Sequence, residues 1–302
     1  MKNKKGIFFT LTAIFLISLL FFSYSIYSVS KEHESITGRV KTLNGYVFSL
    51  KEDVERKLFI SGFRIIFLHE KRIIEDGVYF SDIISSFNET FFNGTILGEI
   101  REGEEALIEG ITYGEILSEV NSQASKLNLI VSFNNSNFLI DQVDPWNVRV
   151  RLSSDLLIRD RSNLASWNRS EEFSVLIPIS NFEDPVYIIN TLGRVNIKFV
   201  KSNYTFGPGV SNLTSHIEGK YYISNTEAPS FLKRFQGDLS SDENGVESLV
   251  YLPDLSGQGI SLKDKSVVDH VYFSNENPSA SAIGGMPSWF KLDNDHLSVY
   301  GV

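Results

Sequence analysis

Residues 6–22 read GIFFTLTAIFLISLLFF, a run without a single charge, and softer apolar residues carry it on through Tyr24, Ile26 and Tyr27 to Val29. About 20 apolar residues match the hydrocarbon thickness of a bilayer, whereas the core of a cleaved secretory signal is shorter and ends at a small-x-small site. The run therefore predicts a membrane helix over residues 7–29, so that residues 1–30 form a short tip and a span. Lys2, Lys4 and Lys5 stand in front of it and a mixed Lys31-Glu32-His33-Glu34 follows. This charge bias holds the N-terminus in the cytoplasm and sends Ser30 to Val302 outside the cell, the topology of a single-pass cell-membrane protein.

Composition bounds what the outer part can be. The chain has 302 residues and a net charge of -9, with 23 phenylalanines, two methionines and no cysteine. The acidic balance excludes a nucleic-acid partner, because neutralising phosphates needs a basic face. Without cysteine there is no disulfide framework, thiolate metal site or cysteine nucleophile. Rigid aromatics and β-branched residues are left to build the core.

After the span, Leu43, Val47, Leu50, Val54 and Leu58 recur at steps of three and four, an amphipathic stripe. It predicts a rod continuing the membrane helix, with Gly38 and Gly45 as weak points and Gly77 as its end. LFISGFRIIFL, residues 58–68, is apolar nearly all round but too short to cross a bilayer, so protein should bury it. Arg64 within it is expected to snorkel or to pair with an acidic neighbour. Ser81 or Asp82 can cap a second helix that carries Phe87 and Phe91 and stops at Asn93-Gly94, completing a helical stalk and hairpin over residues 31–95.

Residues 96–302 are expected to form an α+β domain. Thr112-Tyr113-Gly114-Glu115 has the form of a capping box and opens a helix from Tyr113 to Leu127. The period then changes to two. Residues 129–133 and 138–143 read as a hairpin around Asn134 to Asn137, residues 148–152 and 173–179 as further strands, and Pro178 marks an edge. A strand is expected over 195–200, an exposed loop over 202–218 that could divide the domain in two, and a strand from Lys220 to Ser224. Pro229 should open a helix that Gly237 closes. An apolar element, read as extended, covers 266–273, and a flexible loop covers 279–285. The fold class is thus an N-terminal transmembrane helix extended into a long amphipathic helix, then antiparallel sheet packed on helices.

Chemical motifs are sparse. Asn88, Asn93, Asn134, Asn168, Asn203 and Asn212 each begin an Asn-x-Ser/Thr sequon, a glycosylation acceptor in an extracellular chain, and most fall where turns or loops are expected. Asp269-His270 and Asp293-Asn294-Asp295-His296 invite a metal or acid/base reading. Neither has the i, i+4 histidine pair of a zinc helix, and neighbours in a strand face opposite ways, so capping and turn roles are expected for them and for His216. Residues 238–247, DLSSDENGVE, fail the alternating oxygen pattern of a calcium hand and leave at most a loose calcium site. There is no nucleophile elbow, phosphate loop or dinucleotide fingerprint. The expectation is no catalytic residue, no metal site and no cofactor.

The junction Lys4-Lys5-Gly6 followed by Ile7-Phe8-Phe9 resembles the class III signal peptide of archaeal type IV pilins and pilin-like surface proteins. The resemblance covers about the first thirty residues. It implies a prepilin-type peptidase that cuts between Gly6 and Ile7, with Lys5 before the cut, and a retained helix through which subunits self-assemble. The fifth mature position, where many pilins carry a glutamate, is Leu11 here. An uncut signal anchor needs only the three lysines and the apolar helix, and both readings stand. The function expected is a membrane-anchored, pilin-like surface protein with a structural, adhesive or assembly role and no catalysis. The alternatives are an anchored ectodomain that binds a ligand or partner, and an anchored hydrolase.

Overall fold

A computed structural model describes residues 4–207 and 209–302, so Lys2 lies outside the described residues. Of Lys5, Gly6 and Ile7 only the helical backbone falls within them, and the side chains of residues 4–7, Glu32 and Ser35 lie outside. The chain is α+β, with a long N-terminal helix and small sheets. Helix α1 runs unbroken from Lys4 to Asp76, through both glycines expected to weaken it. It stops because Gly77 turns left-handed at φ 63° while its N–H closes on the Ile73 carbonyl, a conformation that costs glycine little. From Phe8 on, α1 is long and apolar enough to cross a membrane by length and composition, and its large apolar side chains down to Val29 are all exposed.

The remaining elements are α2 (Ile83–Asn93), α3 (Glu105–Ile108), α4 (Tyr113–Lys126), β1 (Leu129–Asp144), β2 (Asn147–Asp160), β3 (Ser166–Pro178), α5 (Pro185–Asn190) and α6 (Ser211–Glu218). There follow β4 (Tyr222–Ser224), α7 (Phe231–Phe235), β5 (Val246–Ser248), α8 (Leu252–Gly257), α9 (Asp269–Phe273), β6 (Ala280–Ala282), β7 (Lys291–Asp293) and α10 (Asn294–Leu297). One sheet has the order β1-β2-β3, and β4-β5 and β6-β7 form two antiparallel pairs. Pro178 closes β3, an outer strand, where its missing N–H breaks no ladder.

By contacts the chain divides into two units. The first holds Met1–Asp53, Ser118–Asn135 and Ser154–Glu171. Here Leu43 and Leu50 of the amphipathic stripe are buried and Val47 is half-buried, while Tyr46, outside the stripe, is buried and its hydroxyl donates to the Val120 carbonyl. Arg39 lies 3.7 Å from the buried carboxylate of Asp160. The second unit holds Val54–Leu117, Ser136–Ser153 and Glu172–Val302. Its core is aromatic: Phe91 stacks on Phe138 at 4.2 Å, and His69 sits between Phe80 and Phe87 while its Nε2 meets the Ser86 hydroxyl. Asp82 caps α2 through the Ser85 N–H, and Gly94 ends it. Arg64 donates to the backbone carbonyl of Glu109 rather than to a carboxylate. The buried ion pair falls one helical face on, where Arg72 grips both oxygens of Glu104 at 2.6 and 2.7 Å.

Five local expectations are corrected. The hairpin over 129–143 is one long strand: the polar Asn run stays within it, kinked at Asn135 with φ 52°, as Asn135 donates to the Asp155 carboxylate and Ser154 donates to the Asn134 carbonyl. The reversal comes instead at Pro145-Trp146, where the Asp144 side chain accepts from the Trp146 N–H. Residues 195–200 alternate buried and exposed as a strand would, but they pair with the irregular segment 181–184 and form only an isolated bridge. Within 202–218, α6 forms because Leu213, His216 and Ile217 share a buried face that its polar composition hides. Ala280 to Ala282 make a strand, since backbone pairing to residues 291–293 needs no large side chain. The fifth correction is α9, helical where an extended segment was expected.

Candidate functional site

Three stretches of backbone lie side by side in the second unit: the Val250 N–H donates to the Val267 carbonyl, and the Val267 N–H donates to the Lys291 carbonyl. This lateral bonding brings the ends of β5, α9 and β7 together. Along β5 side chains alternate, so Glu247 and Ser248 face opposite ways. Asp269 and His270, adjacent at the start of α9, are rotated by about 100° on a helix rather than 180° on a strand. Asp269 therefore reaches Ser248, accepting from its N–H and hydroxyl, while His270 reaches Glu247 on the other side.

On the Ser248 side the centre is Arg234, fully buried, whose Nη1 lies 2.6 Å from Asp184 and 3.0 Å from Asp269. The Tyr222 hydroxyl adds a bond to Asp184, and the Val246 carbonyl accepts from Arg234 Nη2. Two carboxylates and two ring faces, those of Phe199 and Tyr222, enclose one guanidinium.

On the Glu247 side the fully buried carboxylate is met by two imidazoles. His270 Nε2 and His296 Nε2 each stand 3.3 Å from the same oxygen, Oε2. Tyr300 donates to Oε1 at 2.9 Å, and Asn225 donates to Oε2 at 2.8 Å. The other ring nitrogen of His296 is taken: Nδ1 lies 2.6 Å from Asp293 Oδ1, one helical turn back. Burial works against ionising Glu247, but the two imidazoles of His270 and His296 beside it outweigh it and hold the carboxyl at about 2. Asp293 is held at about 2 in the same way, burial being outweighed by His296 and Ser266. His296 is pulled the opposite way, burial being overcome by Asp293 and Glu247, which raise it to about 10. Beyond Tyr300 lies His216, buried, its Nδ1 on the Ser202 hydroxyl; burial lowers it to about 4.

Sequence reasoning assigned His270 and His296 to capping and turns, and the structure brings them onto one carboxylate. The missing partner was Glu247, which closes the acidic run 238–247; its other carboxylates serve their own turns, as Asp238 and Asp242 accept from Ser240 N–H and Asn244 N–H. The legible signal was Asp293-x-x-His296, a spacing that sets both side chains on one face of a helical turn.

A concavity of about 530 Å³ lies elsewhere in the second unit, lined by Phe59, Ile60, Phe63 and Phe67 with Glu70 and Lys198 at its polar side. Burial raises Glu70 to about 7, although the Glu183 N–H bonds it. Of the six sequon asparagines, Asn93, Asn134, Asn168, Asn203 and Asn212 are exposed. Asn88 is half-buried, its amide spent on the Ile84 carbonyl and its Thr90 buried. Only Asn203 is in a loop; the others sit in helices or strands, contrary to the expectation of turns.

No family model matches the chain, and neither a curated protein nor a solved structure matches it.

Proposed function

We propose that the chain is a membrane-anchored, pilin-like surface protein, held by residues 7–29 with its N-terminus in the cytoplasm and the rest outside the cell. The observation that supports this reading is the exposure of every large apolar side chain from Phe8 to Val29 on a continuous helix. A helix apolar on all sides that its own chain leaves bare calls for lipid or for other helices. The lysines before it set the orientation.

The Lys5-Gly6-Ile7 junction adds processing by a prepilin-type peptidase, after which Ile7 begins the mature chain. Assembly then runs through apolar and small residues, since Leu11 offers no charge to bury. The role is structural, adhesive or assembly-related, without intrinsic catalysis and without a cofactor. Sheet packed against the outer part of the rod fits this reading: a side chain at Gly62 of α1 would run into Val150 of β2 and Ile177 of β3. The substitution Gly6→Val should block processing and leave insertion intact. Unchanged processing of that variant would remove the peptidase from the account.

A second reading, an anchored binder of a ligand or partner, is favoured by the aromatic concavity beside Glu70, which combines an apolar lining with one displaced carboxyl. A monomer with a specific ligand would support it. Detergent-resistant polymers would support assembly.

A further inference from the structure

Among the described residues, Glu247, His270 and His296 offer donor atoms that lie within 4.8 Å of one another, and all three residues are buried. Two imidazole nitrogens with one carboxylate oxygen suit zinc and its first-row neighbours, whereas calcium and magnesium ask for oxygen alone. Two of the three donor separations agree with the donor set, and the third lies within 4.8 Å. A tetrahedral ion at about 2.0–2.1 Å from its ligands sets them about 3.3 Å apart. Both imidazole nitrogens stand 3.3 Å from Glu247 Oε2.

Orientation supplies a third, independent sign. Asp293 accepts from Nδ1 of His296, which leaves Nε2, 3.3 Å from Glu247 Oε2, to meet a cation or to carry a second proton. That nitrogen makes no hydrogen bond, although the residue is only 4% exposed. Nε2 and a buried carboxylate oxygen at that distance are held together by a proton on Nε2 or by a metal cation between them. A carboxylate behind a ligating imidazole is the usual outer support of a metal-bound histidine.

From these three observations we propose that Glu247, His270 and His296 bind one divalent ion of the zinc class, with Asp293 as the positioning residue that orients His296. The ion joins β5, α9 and α10, elements of only three, five and four residues, in a chain with no cysteine to staple them. Three protein donors leave the fourth position of the tetrahedron open. The competing arrangement is metal-free, a doubly protonated His296 held between Asp293 and Glu247.

The test uses the full-length protein in detergent, stripped with EDTA and titrated with zinc chloride against a chromophoric chelator, with elemental analysis for stoichiometry. One equivalent of zinc should bind, and free zinc at about 100 times Kd should raise Tm by about 5–10 °C. Calcium chloride should do neither. Asp293→Asn should keep the stoichiometry and weaken affinity about 10–100-fold. His270→Gln and His296→Gln should lose the equivalent, and His216→Gln should keep it. Because the ligand variants could fail to fold, the wild-type titration decides. A stripped chain that melts cooperatively, takes up no zinc and shows no change in Tm would overturn the proposal in favour of the imidazolium. Binding that survives His270→Gln and His296→Gln, or vanishes in His216→Gln, would overturn it as well, and unchanged affinity in Asp293→Asn would remove the outer support.

Discussion

His296 Nε2 stands 3.3 Å from Glu247 Oε2 while the opposite ring nitrogen, Nδ1, is 2.6 Å from Asp293. One imidazole is thereby fixed between two carboxylates from different elements. Tyr300, four residues on, returns its hydroxyl to the second oxygen of Glu247. The last helical turn is thereby tied to β5 through side chains.

Tyr300→Phe removes that donor and keeps the ring, which packs against Phe206 and His216. Leaving a buried carboxylate oxygen without it should cost about 1–3 kcal/mol. Urea unfolding of the full-length protein checks this, and an unmoved midpoint would mean that the bond adds nothing to Glu247.

Arg234→Met should be more severe. It leaves Asp184 and Asp269 facing each other in a site where all three residues are buried. Breaking a buried pair from one side costs about 3–5 kcal/mol. Arg101→Met, by contrast, removes a solvent-facing pair with Asp76 and should leave the urea midpoint where it is.

Two glycines should respond in opposite directions to alanine. A side chain at Gly245 would run into the carbonyls of Ala228 and Asn225, so Gly245→Ala should lose about 1–3 kcal/mol by denaturation. Gly38 has nothing within 4 Å of an added Cβ and lies inside α1. Gly38→Ala should strengthen the helix by about 0.5–1 kcal/mol, read as slower amide exchange around residue 38.

Neighbouring residues of α1 give opposing pH dependences. Burial lowers His69 to about 4 beside Arg72, Glu89 and Glu104, so between about 4 and 6.5 only the unfolded chain binds that proton and stability falls as pH falls. Burial raises Glu70 to about 7 beside Glu183 and Lys198, so between about 4.5 and 7 the folded chain holds a proton that the unfolded chain has lost, and stability falls as pH rises. Each contribution reaches about 3 kcal/mol, and in the wild type they offset each other. Glu70→Gln should expose the His69 slope, losing stability from pH 6.5 down to 4; a flat profile in that variant would contradict the assignment of His69.

What the sequence made legible is what neighbouring residues decide. The capping box is present, with the Thr112 N–H and hydroxyl both on Glu115, and so are the Asp82 cap and the stops at Gly77 and Gly94. The alternation of Val148, Val150 and Leu152 likewise appears as buried positions of β2. Elements defined by distant partners were hidden. Asn134 to Asn137 has turn composition, yet Asp155 and Ser154, some twenty residues away, bond it into β1 with only a kink at Asn135. Residues 269–273 have strand composition, but the Val268 carbonyl is bonded by the Tyr272 N–H and the segment closes into a helical turn. The site itself draws on residues 247, 270 and 296, so no local pattern contains it. Only the Asp293-x-x-His296 spacing was there to be read.

The central claim, that residues 7–29 are kept as a membrane anchor on a pilin-type route, is tested most directly by the intact mass and N-terminal peptide of the protein purified from its own membranes. The account predicts a chain that begins at Ile7. A chain that begins at Met1 would contradict the pilin-type route, and one that begins beyond Val29, its apolar helix removed as a secretory signal, would contradict the anchor itself.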